Sequence, residues 1–272
     1  MSNDLTVLKL GGSLLTDKSK PYTPRMAVMK SVCEEIRQCI NDELLGSLIL
    51  IQGVGSFGHP PVLEHHLHMG FKGPKQLLPL SDTQSTVGKF RAMLVEQLQQ
   101  ADIPVCLMYP SSMVVAERMK MTRYFFEPLR GFLSIGMVPL LGGDILIDSV
   151  MGFTVGSGDQ LAVLIAKELK AKKIIFASDV AGIFDSDPKT NPDAELYSEI
   201  DIGEVERTVE EMGKSTVIDA SGAMKGKLKS LIPARPLLEA GLEVSILSMM
   251  ESGNLADYLK GNTSTSTQIV SR

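Results

Sequence analysis

The chain has 272 residues, 44% hydrophobic and 22% charged, enough apolar material for one large domain or two closely packed lobes and unlike a disordered chain. Its net charge of −5 argues against the basic face of a nucleic-acid binder, while local lysines and backbone N–H groups can still hold an anionic small molecule. Three cysteines (Cys33, Cys39, Cys106) form neither an even disulfide framework nor a CxxC pair, the N-terminus lacks a basic signal start, and no apolar stretch approaches the roughly 18 residues of a membrane span. A reduced, cytoplasmic setting is expected, with neither nucleic acid nor membrane as partner.

Leu5–Leu10 reads as a buried strand running into Gly11-Gly12-Ser13. Residues 24–41 read as a helix, with Met26, Met29, Val32, Cys33, Ile36 and Ile40 at helical spacing. Ser47–Gln52 is a second buried strand, followed at once by Gly53-Val54-Gly55-Ser56-Phe57-Gly58-His59. A helix is predicted over 83–101, a strand over 104–108, a helix over 124–135, and a strand over 137–141 feeding Gly142-Gly143-Asp144. Residues 145–148 and 152–155 bracket a hairpin, and Ser157-Gly158-Asp159 opens a helix to Leu169. A strand at 173–177 enters Ser178-Asp179-Val180-Ala181-Gly182; a helix at 233–241, a strand at 243–247 and a closing edge strand at 268–270 complete the chain. Buried strands alternating with helices predict a mostly parallel sheet covered on both faces, with ligands beyond the carboxyl ends of the strands. With no internal repeat and no long linker, residues 1–272 are expected to form one domain.

Glycines after a strand let backbone N–H groups approach phosphate oxygens, and Lys9 adds a charge beside Gly11 and Gly12; a tight turn with a solvated lysine fits the same residues. Residues 53–59 match G-x-G-x-x-G formally. Asp82, the nearest acidic residue at the right distance, begins a helix instead of ending a strand, which argues against a dinucleotide site and leaves a phosphate cradle with His59 just beyond it. His65, His66 and His68 lack an HExxH pattern or a nearby cysteine and read as a solvated helix end. Gly222-Ala223-Met224-Lys225-Gly226-Lys227 is one residue short of a P-loop, with Leu228 where a Ser or Thr should stand. Asp159, near a helix start, can be a simple cap.

Taken in order, seven segments resemble the amino acid kinase superfamily, and within it the isopentenyl phosphate kinases. They are LKLGGSLLTDK (8–18), GVGSFGH (53–59), PSS (110–112), GMVPLLGGDILID (136–148), SGDQL (157–161), SDVAGIFDSDPKTNPDA (178–194) and DASGAMKGKL (219–228). The resemblance implies the amino acid kinase fold, an open three-layer αβα sandwich, with an acceptor-binding half at about 1–160 and an ATP-binding half at about 161–272. It implies ATP-dependent phosphorylation of isopentenyl phosphate to isopentenyl diphosphate in isoprenoid biosynthesis, in a variant of the mevalonate pathway, with Mg²⁺ and in a homodimer.

Under the resemblance, the catalytic residues would be Lys9, Lys18, His59 and Lys227. The lysines would neutralise the transferring phosphate, and His59 would hold the acceptor phosphate. Gly11, Gly12, Ser13, Gly53 and Gly55 would supply backbone donors. Val54, Asp179, Gly182 and Ala223 would join Lys9, Lys227 and the glycines 11, 12 and 55 around ATP. Gly53, Val54, Gly158 and Asp159 would line the acceptor site, and no protein side chain is expected as a metal ligand. The five-carbon tail needs an apolar slot, for which Val87, Phe90 and Met93, with Ile145 opposite, are the expected walls. Val54 stands where the family has Gly or Ala, Ala181 where it has Asp, and Ala223 where it has Gly. GAM also occurs in fosfomycin kinases, so a same-fold kinase of another small acidic acceptor, such as that phosphonate, is the alternative reading.

Overall fold

The computed structural model describes residues 4–188, 190–205, 207, 223–262 and 265–272. In chain order the strands are β1 (Leu5–Leu10), β2 (Ser47–Gln52), β3 (Val105–Leu107), β4 (Val114–Glu117), β5 (Lys120–Tyr124) and β6 (Val138–Gly142). There follow β7 (Asp144–Asp148), β8 (Gly152–Gly156), β9 (Lys173–Ser178), β10 (Glu199–Asp201), β11 (Glu243–Ser248) and β12 (Ser266–Val270). The helices are α1 (Gly12–Leu15), α2 (Met26–Asn41), α3 (Gly55–Glu64), α4 (Leu77–Gln100), α5 (Glu127–Ser134), α6 (Gly158–Leu169), α7 (Ala223–Leu231), α8 (Arg235–Glu239) and α9 (Asn254–Leu259).

An eight-stranded sheet runs β10-β12-β11-β9-β1-β2-β6-β3, and a four-stranded sheet runs β5-β4-β7-β8. Strand β1 lies parallel to β2 and β9, and β6 parallel to β2 and β3; β11 and β12 are antiparallel. Alternate residues of each central strand point to opposite faces, and both faces are apolar. Val7, Ile49, Ile51, Ile174 and Phe176 join one core with Leu161 and Ile165 of α6. Leu8, Leu10, Leu48, Leu50 and Ile175 join a second with Met29, Val32 and Ile36 of α2 and Phe90, Leu94 and Leu98 of α4. Helices therefore cover both sides, giving the three-layer αβα architecture with a mostly parallel sheet. No described helix is long and apolar enough to cross a membrane.

Several elements depart from the sequence expectation. Residues 55–64 are helix α3 instead of a loop, despite Pro60 and Pro61 within it. Helix α4 begins at Leu77, before the expected 83, because Pro79 sits in its first turn, where a missing N–H costs nothing. Tyr124 ends a strand instead of starting a helix. The strand at 268–270 extends to Ser266–Val270 and is not an edge, since β10 pairs outside it. The helix expected at 233–241 is a 3₁₀ turn followed by the five-residue α8.

Candidate active site

Strand register sets the rim of the site. Leu10 pairs with Gln52 and with Ala177, and Gln52 with Gly142, so the turns beginning at Gly11, Gly53, Gly143 and Ser178 leave the sheet at one level. They border a cleft of about 1040 Å³. The first two turns touch. A Cβ on Gly53 would lie 2.4 Å from the Gly12 nitrogen, and one on Gly12 would lie 2.5 Å from that of Gly55. Gly55 also has φ +48°, a left-handed conformation that glycine adopts without strain. The glycines thus allow two backbones to meet.

That packing corrects two expected donors. The Gly11 N–H is given to Ala177 O at 2.8 Å and the Gly53 N–H to Leu10 O at 2.8 Å, so neither is available to a phosphate. Gly12, Ser13 and Gly55 instead open helices, where first-turn N–H groups have no intrahelical acceptor.

Lys9, next to last in the buried strand β1, reaches the cleft, where its Nζ lies 2.8 Å from Asp159 Oδ1. Asp159 can make this pair because it is not the helix cap: Ser157 Oγ accepts the Asp159 N–H and caps α6. Burial pushes the Asp159 carboxyl up, but the charges of Lys9 and Lys227 and the hydrogen bond from Lys9 outweigh it and hold the pKa below the usual aspartate value. Lys227, 5% exposed, sits with its Nζ 4.9 Å from the centroid of the Phe176 ring. Burial, then the charge of Lys9, brings its pKa down to about 8 against the pull of Asp159 and Asp179. Asp159 is thus shared between Lys9 and Lys227, and both lysines stand at the cleft where a phosphate can reach them.

His59 lies in the second turn of α3 and opens to the cleft. Partial withdrawal from water, then the charges of Lys18 and Lys9, lower its pKa below the ordinary 6.5 against Asp159; the ring is neutral at pH 7 and keeps one N–H to donate. The prolines behind it matter too. Pro60 has no N–H for Ser56 O, and that carbonyl instead accepts the N–H of Tyr22 at 3.2 Å. Tyr22 belongs to the loop that carries Lys18, closed at its base by Asp17 N to Thr23 O at 2.9 Å. The helix bearing His59 and the loop bearing Lys18 are thereby docked together.

The structure brings Lys9, Lys18, His59, Lys227, Gly11, Gly12, Ser13, Gly53, Val54, Gly55, Gly158, Asp159, Asp179 and Gly182 to the cleft wall. Ala223 starts α7, and its side chain lies outside the described residues, as do Asp219 to Gly222 of the same segment. The expected tail contacts are corrected: Val87, Phe90, Met93 and Ile145 do not line the cleft. Phe90 is fully buried and stacked on Phe57 at 4.4 Å. Met93 packs against the same core. Val87 lies behind Gly58, and Ile145 clusters with Val62, Leu67 and Phe153. The apolar wall beyond His59 is instead Pro60, Val62, Leu63 and Val155. Residues 59, 62 and 63 share a helix face, a spacing that could have identified them. His66 and His68 are exposed, and no group of three or more His, Cys, Asp or Glu among the described residues could hold a metal ion.

The backing of the site includes a residue no motif signalled. Arg91 of α4, 1% exposed, donates from Nη2 to the Gly143 carbonyl. Its Nη1 lies 3.9 Å from Asp144, whose carboxylate accepts the N–H groups of Ser111 and Ile145.

A cleft at the carboxyl ends of parallel strands, with clustered lysines and two abutting glycine turns, is the equipment of a phosphoryl-transfer enzyme. Residues 4–248 match the profile of the amino acid kinase family, and the chain belongs to that family. Isopentenyl phosphate kinase from Methanothermobacter thermautotrophicus is 30% identical over 274 residues, 98% of this chain and 100% of that protein. The isopentenyl phosphate kinase of Methanocaldococcus jannaschii is 32% identical over 237 residues, 82% of this chain and 85% of its own length. An X-ray structure of isopentenyl phosphate kinase superposes with a TM-score of 0.81 at 28% identity, covering 98% of this chain and 100% of that one. Within the amino acid kinases, isopentenyl phosphate kinases are thus among the chain's relatives.

Proposed function

We propose that this chain transfers the γ-phosphoryl group of ATP, taken up as its Mg²⁺ complex, to isopentenyl phosphate, releasing ADP and isopentenyl diphosphate. The observation that carries the reading is the convergence of Lys9, Lys18, Lys227 and His59 on one cleft around two touching glycine turns. An acceptor phosphate oxygen is already a nucleophile, so the protein needs no strong base; it must align two phosphates and neutralise the charge that gathers between them. His59 donates to the acceptor phosphate and holds it in line. Lys9, oriented by Asp159, and Lys18 and Lys227 stabilise the transferring group. The acceptor half is about 1–160 and the nucleotide half, with Asp179 and Gly182, about 161–272. Mg²⁺ would arrive on the nucleotide phosphates and would help neutralise the charge on the transferring group. A homodimer belongs to the same reading.

A coupled ADP-release assay over isopentenyl phosphate, dimethylallyl phosphate, fosfomycin, glutamate and UMP tests the acceptor. The highest kcat/KM should fall on isopentenyl phosphate. A preference for fosfomycin or for glutamate would overturn the assignment while leaving the family intact.

A further inference from the structure

Thr16 has no role in the mechanism above, yet it is completely buried at the junction of the two glycine turns. Its Oγ1 donates to the Gly12 carbonyl at 2.7 Å and accepts the Ser56 N–H at 3.0 Å. The backbone of the first turn is thus tied to the start of the helix that carries His59 through a single oxygen. The side chain also fills the space beside Gly55: a Cβ there would lie 2.2 Å from Oγ1 and 2.9 Å from Cγ2. Further bonds brace the junction. The Thr16 N–H donates to Gly12 O at 2.9 Å, and Arg25 Nε donates to Thr16 O at 3.2 Å.

We propose that Thr16 is a positioning residue for phosphoryl transfer, its hydroxyl setting the spacing between the glycine turn at Gly12 and the helix at Ser56 that carries His59. The inference rests on the reading of this cleft as a kinase site. In-line transfer demands that donor and acceptor phosphates be held at one separation, whereas each alone can bind to its own turn. Loss of the strut therefore acts on turnover and spares the binding of either ligand by itself. Valine in place of threonine leaves no room for a water at the hydroxyl's position, and a buried N–H left without an acceptor drives the backbone to rearrange. Valine has the shape of threonine but not its hydroxyl, and serine keeps the hydroxyl while losing a methyl group.

The test uses the full chain with Thr16→Val and Thr16→Ser. Thr16→Val should lower kcat by about 10²-fold, the scale set by small misplacements of reacting groups. It should bind ADP alone and isopentenyl phosphate alone with wild-type stoichiometry and near-wild-type affinity in calorimetry, and Thr16→Ser should restore most of the turnover. Unchanged kcat in Thr16→Val overturns the proposal. A fall in turnover matched by lost binding stoichiometry, or an equal loss in Thr16→Ser, also overturns it, because Thr16 is then merely structural or its hydroxyl is not the agent. Should Thr16→Val fail to fold, Thr16→Ala is measured against the same criteria, and failure of both to fold counts against a positioning role. A wild type that transfers to no phosphate acceptor removes the kinase reading and this inference together; an active wild type with an equally active valine variant removes only the inference.

Discussion

Replacing Lys227 by methionine should stabilise the fold while disabling transfer. Lys227 is 5% exposed, and its pKa falls from the ordinary lysine value of 10.5 to about 8, chiefly through burial and then through Lys9. For a cation whose folded pKa lies below its unfolded one, the folded state binds fewer protons across that window, so stability rises with pH through it. The penalty is complete below about pH 8 and gone above 10.5. At 1.36 kcal/mol per pH unit it amounts to about 3 kcal/mol at pH 7. Methionine fills similar space without charge but forfeits the contact with the Phe176 ring, worth about 1 kcal/mol. A net gain of about 2 kcal/mol is expected in urea unfolding at pH 7, fading as the pH approaches 10.5, together with a kcat reduced by roughly 10²-fold or more. A variant less stable than the wild type at pH 7, or a gain that ignores pH, would refute the claim that this lysine is held charged at a cost to the fold.

His59→Ala should leave the melting temperature nearly unchanged, since the ring is exposed, and lower turnover by about 10²–10³-fold; wild-type kcat/KM would make the histidine structural. Phe90→Ala removes a ring stacked on Phe57 in the core, so it should destabilise the protein by about 3–5 kcal/mol without altering acceptor preference. Leu63→Ala, on the cleft wall, should instead shift the kcat/KM ratio of geranyl phosphate to isopentenyl phosphate by about 1–3 kcal/mol. A ratio that moves with Phe90 and not with Leu63 would restore the wall expected from sequence.

The sheet was legible because runs such as LTVLKL and SLILIQ are apolar on both faces, as strands covered by helices on two sides must be. The strand Lys120–Tyr124 was not: its residues are almost all exposed, so no apolar alternation marks it. Helix α3 was hidden by glycines and two prolines, residues that ordinarily break helices; here the prolines free a carbonyl for the Lys18 loop. The cations of the site could be listed from motifs, but the pairing of Lys9 with Asp159 could not, because it depends on Ser157 taking the cap. Thr16 and Arg91 act on backbone atoms, which no side-chain motif records. Phe90 follows the His59 segment in sequence and is apolar, which suggests a pocket wall, whereas its spacing with Leu94 and Leu98 marks the core face of α4.

Phosphorus NMR of the wild-type chain with MgATP and isopentenyl phosphate separates transfer to a phosphate from simple hydrolysis. Paired diphosphate resonances of isopentenyl diphosphate should grow in step with ADP, with little orthophosphate. ADP accompanied only by orthophosphate, with the isopentenyl phosphate signal unchanged, would contradict transfer to this acceptor.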